Sequence, residues 1–320
     1  MPANLTPEYH DAEERFKAAQ TLEEKIAALE EMLRVIPKHK GTEKMQADLK
    51  RRLSQLRKEA QKKGGAAPKR PFYYIEKEGI GRAVIWGPPN SGKSSLVSAL
   101  TNAEVEVTDY PFATRIPAPG MMQYEDVQIQ LVDMPPLAAE VYEPWQMAIF
   151  EQAPVGVLLF DVNDPALLDQ TEFVLDKLAA RRLKLPPDPE SRILVLGNKV
   201  DQPGGRANFE VWRELFEGRF EALPFSVRSP GDLEWFRREI FRRLDVVRVY
   251  TKPPHGKPVR DHAPFVLPRG STVLDAAAAV HKDLAAHFKF ARIWGDGVYE
   301  GQMVERDHVL QDGDIVEIHA

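Results

Sequence analysis

The stretch Gly87-Pro-Pro-Asn-Ser-Gly-Lys-Ser94 sets two glycines, a lysine and a hydroxyl at the spacing G-x-x-x-x-G-K-[ST]. It follows the apolar run RAVIW and precedes SLVSAL, so it reads as a turn between a strand and a helix. In that setting the glycines let consecutive backbone N–H groups converge on phosphate oxygens, and the helix N-terminus adds its dipole. Lys93 would bridge the β- and γ-phosphates, and the Ser94 hydroxyl would ligate Mg²⁺. Gly87, Pro88, Pro89, Asn90, Ser91, Gly92, Lys93, Ser94 and Ser95 form the candidate cradle. The competing reading is a Gly/Pro turn with an incidental lysine.

A second constellation, Asn198-Lys-Val-Asp201, ends the apolar run RILVLG. A carboxylate at Asp201 can accept from guanine N1–H and the 2-amino group together, a pattern adenine does not offer. Asn198 would face the other edge of the base, with the Lys199 stem packed along the ring. Without the upstream cradle, the same four residues could be a polar strand-end turn. Ser226 and Val227, in PFSVRS, are either backbone contacts to the base or plain loop. Between the two motifs, Asp133 closes the strand-like run VQIQLVD and is the carboxylate expected to hold Mg²⁺ through water. Thr114, twenty residues after Ser94, either closes on the metal and γ-phosphate or is a solvent-exposed loop threonine. Three residues after Asp133 stands Pro136, which has no N–H to donate.

These residues need a sheet to position them. Short Val/Ile/Leu-rich runs (RAVIWG, VQIQLVD, VGVLLFDV, RILVLGNK) alternate with helical segments such as 94–101 and 166–182. That alternation implies an α/β domain whose mostly parallel sheet is covered on both faces. Ahead of it, Leu22, Ile26, Leu29, Leu33 and Ile36, then Met45, Leu49, Leu53 and Leu56, recur at helical spacing on either side of IPKHKGT, which predicts a helical hairpin. Thr21 and Glu24 make a capping box at its start. The expected organisation is a helical hairpin over 1–63, a linker over 64–79, a nucleotide-binding domain over 80–248 and a small module over 249–320. In that module APFVL, a helix opening near Ser271 and Thr272, and the strand DGDIVEIHA follow a Pro-rich crossing. No internal repeat is evident.

The 320 residues carry no cysteine and a net charge of -5, which excludes disulfide frameworks and thiolate metal sites and gives no general affinity for polyanions. The N-terminus is polar and acidic, and no apolar run approaches the roughly 20 residues that span a bilayer, so a soluble cytoplasmic protein without a membrane partner is expected. Charge is uneven: residues 1–33 sum to -5 and residues 34–70 to +10. The basic stretch, with Arg51, Arg52, Arg57, Lys58, Lys62 and Lys63, either contacts RNA phosphates or is a solvated helix face. His281 and His287 belong to no acidic or histidine cluster and are expected to cap or pack.

Taken together, the chain resembles the Obg/DRG group of translation-factor-class GTPases, DRG meaning developmentally regulated GTP-binding protein. IPKHKGTEKMQADLKRRLSQL resembles the N-terminal helical hairpin of the DRG branch, and GPPNSGKSSL and YPFATRIPAPG resemble its P-loop and first switch. TKPPHGKP, STVLDAAAAVHKDLAAHFKFARIWG and VERDHVLQDGDIVEI resemble a TGS domain, a small β-grasp module. The resemblance implies GTP and GDP binding with Mg²⁺, hydrolysis coupled to ribosome or RNA association, and a metal-linked role for Thr114. It also matches Asn90 to the asparagine that helps seat K⁺ in potassium-activated relatives, alongside a purely structural role in the loop. Lys93, Thr114 and Asn90 are then the candidate catalytic groups, with Ser94, Thr114 and Asp133 at the metal.

Three departures from the family pattern stand out. The second switch reads Asp133-Met-Pro-Pro136 where a glycine is usual, Ala113 replaces the first of two paired threonines, and there is no room for the domain that DRG proteins insert. A hydrogen bond to a charged acceptor contributes about 1.5–3 kcal/mol, so losing the glycine donor could weaken discrimination of GTP from GDP tenfold or more. Hydrolysis sustained by Lys93 and Thr114 is the leading expectation. A hydrolysis-poor, guanine-nucleotide-binding adaptor is the alternative, as is an adenine-nucleotide kinase or ATPase on the same cradle. A protein cofactor is also among the expected partners.

Overall fold

A computed structural model describes residues 7–18, 22–36, 42–63, 73–101, 116–253, 256–260 and 262–320. The chain divides into two compact units, Met1–Phe72 and Tyr73–Ala320. Thr114, Ala113 and Thr21 lie outside the described residues, as do the side chains of Glu24, Arg57, Lys58, Lys62 and Lys63.

The first unit holds three helices, α1 (Pro7–Ala18), α2 (Leu22–Val35) and α3 (Glu43–Lys63). The α2–α3 pair corresponds to the expected hairpin, and α1 falls within the same stretch, 7–62, whose pattern reads as helical. Tyr9, Ala12 and Phe16 recur at helical spacing and close α1 onto the seam formed by Leu29, Met32, Ile36, Leu49 and Leu53.

The second unit runs β1 (Arg82–Trp86), α4 (Lys93–Leu100), β2 (Ala118–Tyr124), β3 (Val127–Asp133), α5 (Pro144–Glu151), β4 (Val155–Asp161) and α6 (Leu167–Ala180). It continues with β5 (Ile193–Asn198), α7 (Gly205–Leu215), β6 (Leu223–Pro224) and α8 (Pro230–Arg243). The six strands order as β2-β3-β1-β4-β5-β6, parallel except for β2 against β3. Successive residues of β1 feed opposite cores. Val84 and Trp86 pack with Phe150, Val174, Phe209 and Trp212 on one side, and Ala83 and Ile85 with Leu96, Val97, Phe236 and Ile240 on the other. Burial on both faces explains why these strands read as unbroken apolar runs. It also sets the C-terminal ends of β1, β3, β4 and β5 along one edge, where an open α/β sheet binds ligands.

The remaining elements are β7 (Val246–Thr251), β8 (Phe265–Pro268), α9 (Val273–Val280), α10 (Lys282–Ala286), β9 (Phe290–Trp294), β10 (Gln302–Val304) and β11 (Asp314–His319). They form a second sheet, ordered β10-β9-β11-β7-β8, over a core of Val247, Val249, Val273, Ala276, Ile293 and Val316. Its first strand begins at Val246, ahead of residue 249. The expected helix start is built as a reciprocal cap: Thr272 N–H donates to Asp275 Oδ2 at 2.7 Å, and Asp275 N–H to Thr272 Oγ1 at 3.4 Å. His281 caps in turn, its Nδ1 accepting from the Asp283 N–H at 3.2 Å. Arg248 ties this sheet to the turn between β2 and β3: Nη1 donates to Glu125 Oε2 and to Asp126 Oδ1 at 2.9 Å, and Nη2 to Asp312 Oδ2 at 2.7 Å.

Candidate nucleotide site

The cradle sits where β1 turns into α4. Gly87 has φ +152 and Gly92 φ +97, and a Cβ at Gly87 would lie 2.2 Å from the Leu159 carbonyl oxygen. Only glycine lets the loop pass this close to β4. Asn90 takes the left-handed conformation at φ +57, exposed at the tip of the loop between Pro89 and Ser91. Ser95 stands half-buried in the first turn of α4, after Ser94.

Lys93 is buried and folds its ammonium back over the loop, donating to the Pro88 carbonyl at 2.7 Å and to Ser91 Oγ at 3.4 Å. Burial pulls its pKa down to about 8, and the neighbouring Asp133 carboxylate works in the opposite direction. Asp133 at the end of β3 is fully buried; burial pushes its pKa up, opposed by the Ser94 hydrogen bond and by Lys93. Ser94 Oγ donates to Asp133 Oδ2 at 2.5 Å, while Asp133 Oδ1 has no hydrogen-bond partner. A buried, unsatisfied carboxylate oxygen beside a hydroxyl at a phosphate cradle is the donor set that Mg²⁺ takes, so the residues present fit that ion.

The second motif converges on the first. Asn198 Nδ2 donates to the Ser91 carbonyl at 2.8 Å, and its Oδ1 accepts from the Val227 N–H at 3.2 Å, so one side chain joins the cradle to the loop after β6. Ser226 Oγ donates to Asp201 Oδ1 at 2.7 Å, aiming the carboxylate, while the Ser226 N–H is taken by Asp232 Oδ2 at 2.7 Å. Ser226 therefore orients Asp201 and offers no free backbone donor. Lys199 stands at φ +68, with its ammonium 2.6 Å from Asp161 Oδ2. Asp161, Asn163 and Asp232 belong to neither motif; for the first two, the Asp and Asn of FDVND at the end of an apolar run are the sequence signal.

The segment after Asp133 is fixed rather than free. The Met134 N–H donates to the Ile85 carbonyl at 3.0 Å and the Leu137 N–H to the Gly87 carbonyl at 2.8 Å. Trp86 Nε1 donates to the Pro135 carbonyl at 3.1 Å, and residues 133–137 are all buried. With prolines at 135 and 136, no backbone donor in 134–137 is left over for a γ-phosphate.

This fold and this site define a P-loop GTPase-type nucleotide-binding protein with a C-terminal β-grasp module. Residues 82–197 match the family model described as 50S ribosome-binding GTPase, and residues 247–320 the TGS domain. The chain is 28% identical to an uncharacterised GTP-binding protein of Methanocaldococcus jannaschii, covering 93% of this chain and 92% of that protein. Developmentally-regulated GTP-binding protein 1 of Xenopus laevis is 25% identical over 92% of this chain and 98% of its own length. Ribosome-interacting GTPase 1 of Saccharomyces cerevisiae is 25% identical over 93% and 99%. The chain thus carries a GTPase domain and a TGS domain, and over more than nine-tenths of its length it is similar to proteins named developmentally-regulated GTP-binding protein and ribosome-interacting GTPase. The alignment to the Methanocaldococcus protein runs over 370 residues, more than the 320 of this chain, so that relative carries residues this one lacks.

Proposed function

We propose that the protein binds GTP and GDP with Mg²⁺ and hydrolyses GTP to GDP and phosphate, slowly in the absence of a partner. The observation that carries this reading is the convergence of Lys93, Ser94 and Asp133 with Asn198, Lys199 and Asp201 at one edge of the sheet, bridged by the Asn198 side chain. Lys93 would meet the β- and γ-phosphates and Asp201 the guanine N1–H and 2-amino group. Ser94, Asp133 and Thr114 would hold the Mg²⁺, which neutralises charge developing on the phosphate oxygens. Asn90, exposed at the loop tip, is the group that a K⁺ would use to stabilise the same charge.

The amides of residues 134–137 favour a second reading in parallel. With no donor left there, GTP and GDP would bind with similar strength, and the protein would act as a nucleotide-stabilised adaptor. Turnover of GTP by the purified protein separates the two. Hydrolysis reduced at least tenfold by Lys93→Ala with Ser94→Ala, and faster in K⁺ than in Na⁺, supports the enzyme. Turnover equal to that of the double variant leaves the adaptor.

The partner proposed is the ribosome or another RNA, in the cytoplasm, as the names of the yeast relative and of the matching family model suggest. The 34–70 segment at +10 is the natural phosphate contact, because residues 249–320 carry ten acidic against eight basic groups. Binding through it would weaken steeply with salt, and charge reversal at Arg51 and Arg52 would weaken it further. Ribosome cosedimentation insensitive to both would remove the RNA role. The TGS domain would be the second contact, to a ligand or to the same RNA.

A further inference from the structure

Lys199 is held by a frame that the nucleotide motifs do not include. Its backbone sits in the left-handed region at φ +68, an uncommon conformation for a residue with a side chain, so something must hold it there. The frame comes from the end of β4. Asp161 pairs in register with Asn198 on β5, which places its carboxylate beside the residue that follows. Asp161 Oδ2 accepts from the Lys199 ammonium at 2.6 Å, and Oδ1 accepts from the Asn163 N–H at 2.9 Å. Asn163 Nδ2 then donates to the Lys199 carbonyl at 3.0 Å, and Asn163 Oδ1 accepts from Asn208 Nδ2 at 2.9 Å. Both ends of Lys199, its ammonium and its main chain, are thereby attached to one loop.

We propose that Asp161 is the positioning residue for nucleobase binding: by pinning the Lys199 ammonium, it holds the four-carbon stem as a preformed ledge against which the purine face rests. The chemistry favours this assignment over a plain surface ion pair. The Asp161 side chain is 12% exposed and that of Lys199 28%, so the contact is shielded, and a bond between two charged groups is stronger than a neutral one. A lysine stem left free has four rotatable bonds to order when a base arrives. One already pinned has few, and that saving goes into affinity. Asp161 itself does not touch the nucleotide in this assignment; it acts through Lys199. The inference deepens the guanine-nucleotide reading and rests on it.

The test is a double-mutant cycle of Asp161→Asn and Lys199→Met, read by calorimetry with Mg²⁺-GDP, Mg²⁺-ADP and inorganic tripolyphosphate. The asparagine keeps an acceptor for the Asn163 N–H and loses the charge, and the methionine keeps an unbranched stem and loses the ammonium. Asp161→Asn is expected to weaken GDP binding about tenfold, the scale of one charge-assisted hydrogen bond. Tripolyphosphate binding should stay unchanged, and Asp161→Glu should recover most of the loss. In the Lys199→Met background, Asp161→Asn should cost nothing further. An equal loss in that background, or an equal loss for tripolyphosphate, would assign Asp161 to general loop stability and overturn the proposal. A wild-type protein that does not prefer GDP to ADP would instead overturn the guanine reading beneath it, so the two failures are distinguishable.

Discussion

Pro136 is the residue at which this chain departs furthest from what its cradle leads one to expect. The structure gives the departure a physical form: the adjoining N–H groups are already spent inside the protein, on the Ile85 and Gly87 carbonyls. A glycine at 136 would return one donor without adding bulk. Pro136→Gly is therefore expected to raise the ratio of GTP-analogue to GDP affinity by about tenfold, the worth of a hydrogen bond to a charged acceptor. The added chain entropy of the unfolded state would cost about 1 kcal/mol of stability. Competition binding with a non-hydrolysable analogue checks it; an unchanged ratio would mean that the 136 amide does not face the γ-phosphate. At the other end of the pocket, Asp201→Asn exchanges a double acceptor for a group that can donate. Affinity for GDP should fall by about 100-fold, two such hydrogen bonds, while a base with a carbonyl at position 2, as in xanthine nucleotides, should gain. Calorimetry with GDP and the xanthine diphosphate reads both arms, and unaltered GDP binding would remove Asp201 from the base site.

The elements carrying these residues were legible in the sequence to different degrees. β1, β4 and β5 are buried on both faces, so they appear as Val/Ile/Leu-rich runs ending at Trp86, Asp161 and Asn198, and β3 ends its run at Asp133 with an exposed Gln128 near its start. β2 escaped because APGMMQY carries Pro119 and Gly120 and no β-branched residue; it forms as an edge strand, where a proline can be accommodated. β7 escaped because Arg248, Tyr250 and Lys252 alternate with the valines as a polar series that only tertiary contacts explain. The cradle and the Asn198–Asp201 motif were legible as spacings. The frame around Lys199 was not, since it depends on the β4–β5 register and on the start of α7. That start is tight: a Cβ on Gly205 would lie 2.6 Å from the Lys199 carbonyl oxygen and 3.0 Å from Val200 Cα. Both are backbone atoms that cannot turn aside. Gly205→Ala should thus push the Lys199 loop away, lowering stability by about 1–3 kcal/mol and weakening GDP binding with it. Thermal melting with and without GDP measures the two effects together, and a variant that melts and binds as wild type would show that the loop yields at no cost.

Across the unit spanning Tyr73–Ala320, the buried Arg248 guanidinium helps join the GTPase and TGS portions, beside the Tyr250 hydroxyl, which donates to Asp126. Arg248 lies at the start of the TGS sheet, meets Asp312 in the turn before β11, and reaches the turn between β2 and β3 through Glu125 and Asp126. It also stacks 4.9 Å over the Phe241 ring. Because β3 ends at Asp133, the turn clamped by Arg248 and the Asp133 carboxylate are opposite ends of one strand. Removing the arginine leaves three carboxylates facing one another. Arg248→Met should cost about 2 kcal/mol, between an exposed ion pair and a fully buried one. The pH dependence follows from Asp312. Burial pushes its carboxyl upward, but hydrogen bonds from the Arg248 side chain and backbone outweigh that and hold it below its ordinary value. A carboxyl depressed in the folded state contributes stability that is complete above its unfolded value, near 3.9, and is lost as pH falls through the folded one. The difference in melting temperature between the wild type and Asp312→Asn should therefore stay level from about pH 8 to pH 5 and shrink only below about pH 4. A difference already collapsing between pH 7 and pH 5 would mean that some other group, and not the Arg248–Asp312 pair, sets the hold of the TGS sheet on the β2–β3 turn.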